Sequence, residues 1–107
     1  MTVADMAVAE TVEQYAISRW LCYKLPTRKH ATTADMSKAH DQGDVAEQHL
    51  EELTDVRSRF NGSQWSEHVS EGLERFLTAG SAVASTYGIG APTAADAELI
   101  RGEVEDI

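Results

Sequence analysis

Residues 31–65, ATTADMSKAHDQGDVAEQHLEELTDVRSRFNGSQW, decide the fold because two patterns of secondary structure compete for them. In the first pattern the segment forms two amphipathic helices of a bundle, separated at Asp41-Gln42-Gly43. In the second pattern its last part forms a β-hairpin around Asn61-Gly62. Asn-Gly is typical of tight hairpin turns, since both residues tolerate positive φ.

The helical interpretation rests on capping residues and on apolar periodicity. Thr32 and Asp35 have capping-box spacing, which predicts a helix beginning there and continuing to about His40. Asp44 is the predicted N-cap of a further helix. The apolar positions of that helix recur on one side and predict helix as far as Phe60: Val45, Ala46, Leu50, Leu53, Val56 and Phe60.

The flanking segments are also helical in pattern. Apolar residues recur with helical spacing over about residues 5–25, and Pro26 ends that element because the residue before a proline is disfavoured in helical geometry. A second long helix is predicted from its cap at Ser63. Within it, Gly80, Ala84 and Gly88 are spaced four apart, which predicts a face that a neighbouring backbone can approach closely.

The last break lies at Gly88-Ile89-Gly90-Ala91-Pro92, after which Thr93 opens a final helix. We therefore predict an all-α fold, a small bundle of four to five helices, with residues 1–107 forming a single helical domain. The alternative fold has a hairpin at Asn61-Gly62.

Charge limits the classes of partner. Eighteen acidic and nine basic residues give a net charge of -9, which repels nucleic acid and anionic membranes and attracts basic partners. Adaptation to high salt also produces such an excess. No window approaches 18 uninterrupted apolar residues, so no membrane association is expected. Cys22 is the single cysteine and cannot form an intramolecular disulfide, and a cytoplasmic location is expected.

Residues 44–55 of the predicted helix form an acidic face with no lysine or arginine. Its carboxylates are the predicted partner-binding residues: Asp44, Glu47, Glu51, Glu52 and Asp55. No catalytic motif accompanies them. The leading hypothesis is a non-enzymatic protein without a cofactor that binds a basic protein partner, including one that otherwise holds nucleic acid. An adaptor, an assembly component and an inhibitor all fit, and a homodimer is possible.

Part of the segment resembles winged helix-turn-helix regulators. Residues 31–39 look like the first helix of that motif, residues 45–53 are similar to its recognition helix, and residues 56–60 with Gln64-Trp65 are similar to a wing. The resemblance implies a DNA-binding transcriptional regulator. It implies phosphate contacts by four basic residues: Arg28, Lys29, Arg57 and Arg59. The carboxylates on the recognition helix oppose this function, because phosphate neutralisation supplies much of DNA affinity.

A third hypothesis concerns metal. His49 with Glu52, and His68 with Glu71, form two His-x-x-Glu pairs on predicted helices. A spacing of three residues places each pair on one helix face, and two facing pairs resemble the ligand logic of carboxylate-bridged bundles, in which the order is reversed. These four residues are therefore candidate ligands of a metal-binding helical bundle.

Overall fold

The computed structural model describes residues 3–27 and 30–107, and the side chains of residues 7–27 and 30–107. These residues contain four α-helices, one 3-10 turn and no strand, which confirms the predicted all-α bundle. The elements are α1 (Val3–Lys24), the 3-10 turn (Leu25–Thr27), α2 (Thr33–Arg57), α3 (Gly62–Tyr87) and α4 (Ala94–Glu105).

Helix α1 is the centre of the bundle and packs against α2, α3 and α4. Helix α4 runs antiparallel to it, since Lys24 at the end of α1 pairs with Asp96 near the start of α4 and Tyr15 contacts Glu103 near its end. The wide apolar arc of α1 is thereby buried on several sides. Its largest fully buried side chains are Val12 and Trp20.

Helix α2 passes through Gly43 without interruption, so the predicted break at Asp41-Gln42-Gly43 and the predicted cap at Asp44 are wrong. The buried residues Ala39, Ala46 and Leu53 are spaced seven apart and form one stripe against the core on both sides of Gly43. A glycine within a helix costs about 1 kcal/mol relative to alanine. Burial of the continuous stripe offsets that cost, and the predicted cap at Thr32 is confirmed, with Asp35 completing a capping box.

The connection between α2 and α3 is a turn of helical bundles and not a hairpin. Helix α2 ends at Arg57, three residues before the predicted end at Phe60. Asn61 is the N-cap of α3 and exchanges hydrogen bonds with Gln64, so Gly62 already belongs to the helix and the predicted cap at Ser63 is wrong. The alternative of a hairpin at Asn61-Gly62 is therefore wrong. Asparagine is favoured at helix N-caps as well as in tight hairpin turns, and here Asn61 caps α3.

Helices α1 and α3 approach each other closely at Gly72, where a Cβ atom would lie 2.5 Å from Cβ of Val12 on α1. Of the close approach predicted along Gly80, Ala84 and Gly88, the structure shows one at Gly80, and it is made by the segment before α4 and not by another helix. A Cβ at Gly80 would meet the ring of Pro92, and Gly88 ends α3 with φ of 65°, a left-handed conformation that favours glycine.

Trp65 of α3 stabilises the contact between α3 and α4. Its side chain is buried, and the indole Nε1–H donates to the carbonyl oxygen of Val104 over 3.1 Å. Phe60 lies against the same indole, with ring centroids 6.1 Å apart, although it stands outside the helices. The end of α2, the start of α3 and the end of α4 therefore meet around one side chain.

Candidate partner-binding surface

Four of the five predicted acidic residues lie along the outer face of α2. Asp44, Glu47, Glu51 and Asp55 are all exposed and line one shallow surface depression together with Gln48, Leu50 and Thr54. We call these four carboxylates the acidic stripe. Spacings of three and four residues keep them on one side of the helix, and at 1.5 Å per residue they extend over roughly 16 Å.

The stripe is little neutralised by its surroundings. Asp44 has one ion-pair partner, His40, at 3.7 Å, and this pair is charged only when the histidine is protonated. Glu47, Glu51 and Asp55 make no ion pair with a described residue. Helix α2 has no lysine or arginine between Lys38 and Arg57. The stripe therefore projects a negative potential into solvent.

Glu52, the fifth predicted residue, does not belong to the stripe. It lies at the edge of the contact between α2 and α1, with 62% of its side chain exposed, and its Oε2 is 3.7 Å from Nδ1 of His49. Beside it lie Val8, Leu53 and Val56, so the carboxylate flanks an apolar surface. Glu51 and Glu52 are both exposed, but consecutive residues of a helix point in directions roughly 100° apart, so Glu52 borders the contact with α1 while Glu51 does not.

Carboxylates at the helix–helix contacts are in a different environment. Glu103 of α4 accepts hydrogen bonds from Nε of Arg19 at 3.1 Å, from the Tyr23 hydroxyl at 2.8 Å and from the Tyr15 hydroxyl at 3.3 Å. Burial, and then the negative charge of Glu103, raises the pKa of Tyr15 to about 12. Burial and the hydrogen bond to Glu103 also raise the pKa of Tyr23. This cluster joins α1 to α4.

A second paired cluster joins α1 to α3. Nε of Arg75 donates to Oε1 of Glu13 over 2.7 Å, and the same guanidinium lies 3.7 Å from Glu10. The hydrogen bond to Glu13 raises the pKa of Arg75. The negative charge of Glu71 on α3 also raises the pKa of Arg75, so this carboxylate has a cation near it that the acidic stripe lacks. The paired carboxylates therefore hold helices together, while the stripe serves no described internal contact.

The structure describes two of the four predicted DNA-binding residues, Arg57 and Arg59. Arg28 and Lys29 lie outside the described residues. Arg57 donates to the carbonyl oxygen of Phe60 over 2.9 Å and its guanidinium carbon lies 5.1 Å from the ring centroid of Trp65, so it stabilises the α2–α3 connection. Arg59 is exposed. The DNA-binding hypothesis stays a prediction, and the hairpin wing it used is absent from the described residues.

The metal-ligand candidates stand on separate helices. His49 and Glu52 belong to α2, while His68 and Glu71 belong to α3, where the ring of His68 packs edge-on against Phe60 at 4.9 Å. Within the described part of the chain, no three His, Cys, Asp or Glu side chains are grouped as a metal ion requires. The two pairs therefore do not face each other across the bundle.

Sequence reasoning did not find an apolar groove between α1 and the end of α2. We call it the α1–α2 groove, and its volume is about 220 Å³. Its lining residues are Ala7, Val8, Thr11, Glu52, Leu53, Val56, Arg59 and Phe60. A local sequence pattern cannot predict this groove, because its floor is formed by residues of α1 together with residues more than forty positions later in α2.

No family model matches the chain, and neither a curated protein nor a solved structure is significantly similar to it. Among the helices that the structure describes, none combines the length and the apolar character needed to span a membrane.

Proposed function

We propose that this chain is a non-enzymatic protein that binds a basic protein partner through the acidic stripe on α2, acting as an adaptor, an assembly component or an inhibitor. One observation carries the proposal. Glu47, Glu51 and Asp55 have no ion pair with a described residue, whereas Glu13 and Glu103 are engaged between helices.

Single surface ion pairs contribute little, about 0–1 kcal/mol each. A row of like charges on one rigid helix acts differently, because its summed field steers an oppositely charged partner and raises the association rate. The stripe matches a row of lysine or arginine side chains over roughly 16 Å. Proteins that hold nucleic acid present such rows to phosphates, which makes their basic surfaces fitting partners.

A cytoplasmic setting belongs to the proposal. Cys22 is the sole cysteine among these 107 residues and is half-buried between α1 and α2, where its Sγ would lie 3.4 Å from a Cβ at Gly43. A thiol that packs as a small apolar side chain is compatible with a reducing compartment.

The test neutralises the stripe and measures affinity for a fluorescent oligolysine peptide by anisotropy at low and moderate salt. The stripe variant carries Asp44→Asn, Glu47→Gln, Glu51→Gln and Asp55→Asn. The control variant neutralises four other exposed carboxylates and changes net charge equally: Glu67→Gln, Glu74→Gln, Glu98→Gln and Asp106→Asn. Comparing the two separates the effect of position from the effect of net charge.

We expect the stripe variant to bind the peptide at least tenfold more weakly than the control variant, and its affinity to depend less on salt. Equal losses in both variants would show that net charge alone attracts the peptide, and would overturn the stripe as the binding surface. Undiminished affinity of the stripe variant at moderate salt would overturn it as well.

A further inference from the structure

We infer that the α1–α2 groove receives the apolar side chains of a basic amphipathic helix supplied by the protein partner. This inference rests on the proposed function and specifies the structure of the partner segment. Its motivation is that an apolar depression and a row of free carboxylates lie on adjoining sides of one helix.

The groove has a buried floor and an accessible rim. Leu53 and Val8 form the floor, with 0% and 4% exposure, while Val56 and Phe60 are half-buried walls and Ala7 is an exposed rim residue. Its volume of about 220 Å³ is below the roughly 300 Å³ at which small-molecule pockets begin. Such a space accepts one or two side chains of a docked helix better than it encloses a free ligand.

Charge defines the chemistry of the occupant. Glu52 stands on the α2 side of the groove with 62% of its side chain exposed, and Asp55 of the acidic stripe follows three residues later on the same helix. A helix seated in the groove with lysine or arginine beside its apolar face therefore brings cations to Glu52 and Asp55. Helices that bind grooves in this way present apolar anchors at spacings of three and four residues.

Arg59 gives the occupant a direction. It lies at the far end of the groove, after α2 has ended, and is exposed. The carboxyl end of a helix carries a partial negative charge, so it is stabilised near a cation. The docked helix therefore runs with its carboxyl end toward Arg59 and its basic flank along Glu52.

The experiment uses two synthetic helical peptides of equal length and charge. One is an amphipathic peptide of leucine and lysine, and the other has alanine at every leucine position. Affinities are measured by anisotropy for the native protein and for Ala7→Trp, which fills the groove from its rim. Ala82→Trp, an exposed alanine of α3, is the matched control. Methyl chemical shifts of Val8, Leu53 and Val56 in the native protein report occupancy without any substitution.

We expect the leucine peptide to bind at least tenfold more tightly than the alanine peptide, to shift these methyl signals, and to lose that advantage with Ala7→Trp but not with Ala82→Trp. Glu52→Gln is expected to weaken binding of the leucine peptide about two- to fivefold, which corresponds to the loss of one exposed ion pair.

The failures are distinguishable. Equal affinity of both peptides, with methyl signals unmoved, overturns the groove and leaves the acidic stripe intact. Absence of binding by either peptide at low salt overturns the proposed function and the groove together. Self-association of the native protein that Ala7→Trp abolishes assigns the groove to a second copy of this chain and overturns the partner helix.

Discussion

Carboxylates lie in different environments in two regions of the bundle. Between α1, α3 and α4, Glu13 and Glu103 are held by arginine and tyrosine side chains within 3.3 Å. On the outer face of α2, Glu47, Glu51 and Asp55 face solvent without an ion pair to a described residue. The same residue types therefore stabilise the fold on one side and contribute only external potential on the other. Position relative to the helix contacts, and not composition, separates structural acids from candidate functional ones.

The largest effect is expected where the paired side is packed most tightly. Gly72→Ala would place a methyl group 2.5 Å from Cβ of Val12 and 2.8 Å from the carbonyl oxygen of Ala9. Because backbone atoms do not yield as side chains do, we expect a loss of about 1–3 kcal/mol in the free energy of unfolding. Urea denaturation followed by circular dichroism measures it.

Gly102→Ala is the control for that substitution. A Cβ at Gly102 on α4 meets no atom within 4 Å, and the residue is exposed within a helix. We expect it to stabilise the protein by about 0.5–1 kcal/mol through helix propensity alone. A gain in stability at both glycines would show that α1 and α3 are not in close contact at Gly72.

The next prediction compares one paired and one unpaired carboxylate directly. Glu103→Gln removes the charge that binds Arg19, Tyr15 and Tyr23, and we expect it to cost about 1–2 kcal/mol, since the side chains of Arg19 and Glu103 remain 34% and 27% exposed. Glu51→Gln is expected to cost no stability and to raise it by about 0.4–1 kcal/mol at low salt, because it removes the repulsion of Glu51 by Glu47 and by Asp55. Chemical denaturation of both variants is the measurement, and equal losses would remove the distinction between the two sides.

The capping pattern and the apolar periodicity made the fold largely predictable. The structure has helix N-caps at Thr32 and Thr93, where the sequence predicts helix starts. It buries the apolar arcs that contain Trp20 and Phe76. The failure at Gly43 has a tertiary cause. Gly43 does not interrupt α2 because Ala39, Ala46 and Leu53 bury one stripe against α1, and this tertiary burial is invisible in a local window.

The candidate site was predictable to the same extent. The sequence placed four carboxylates on one face of α2, because their spacing alone fixes their relative directions. The same spacing turns Glu52 roughly 100° away from Glu51, but only the position of α1 shows that Glu52 borders a contact between helices. The α1–α2 groove was likewise unpredictable, because neither helix forms it alone.

A smaller effect is expected at alkaline pH on the paired side. The pKa of Tyr15 is raised to about 12 in the folded protein, against about 10 in the unfolded chain, so the folded state holds this proton more tightly. The corresponding stability is fully present below pH 10 and is lost as the pH rises through about 12. The tyrosinate absorbance contributed by Tyr15 is expected to develop at higher pH in the native protein than in the unfolded chain. Glu103→Gln should advance it, and an unchanged titration in that variant would exclude Glu103 as a cause.

The smallest expected effect is the change in stability with salt that results from repulsion between carboxylates of the acidic stripe. Glu47 with Glu51 and Glu51 with Asp55 are like-charged pairs four residues apart, each destabilising α2 by about 0.2–0.5 kcal/mol. Salt screens this repulsion, so the stability of the native protein should rise from low to moderate ionic strength by roughly 0.5–1 kcal/mol. Neutralising the stripe should remove most of that rise, whereas neutralising Glu67, Glu74, Glu98 and Asp106 should remove little. An equal salt response in both variants would mean that the repulsion is spread over the whole surface. In that case the carboxylates of the stripe would not repel one another more than other surface carboxylates do, and a basic partner would relieve no particular repulsion by binding there.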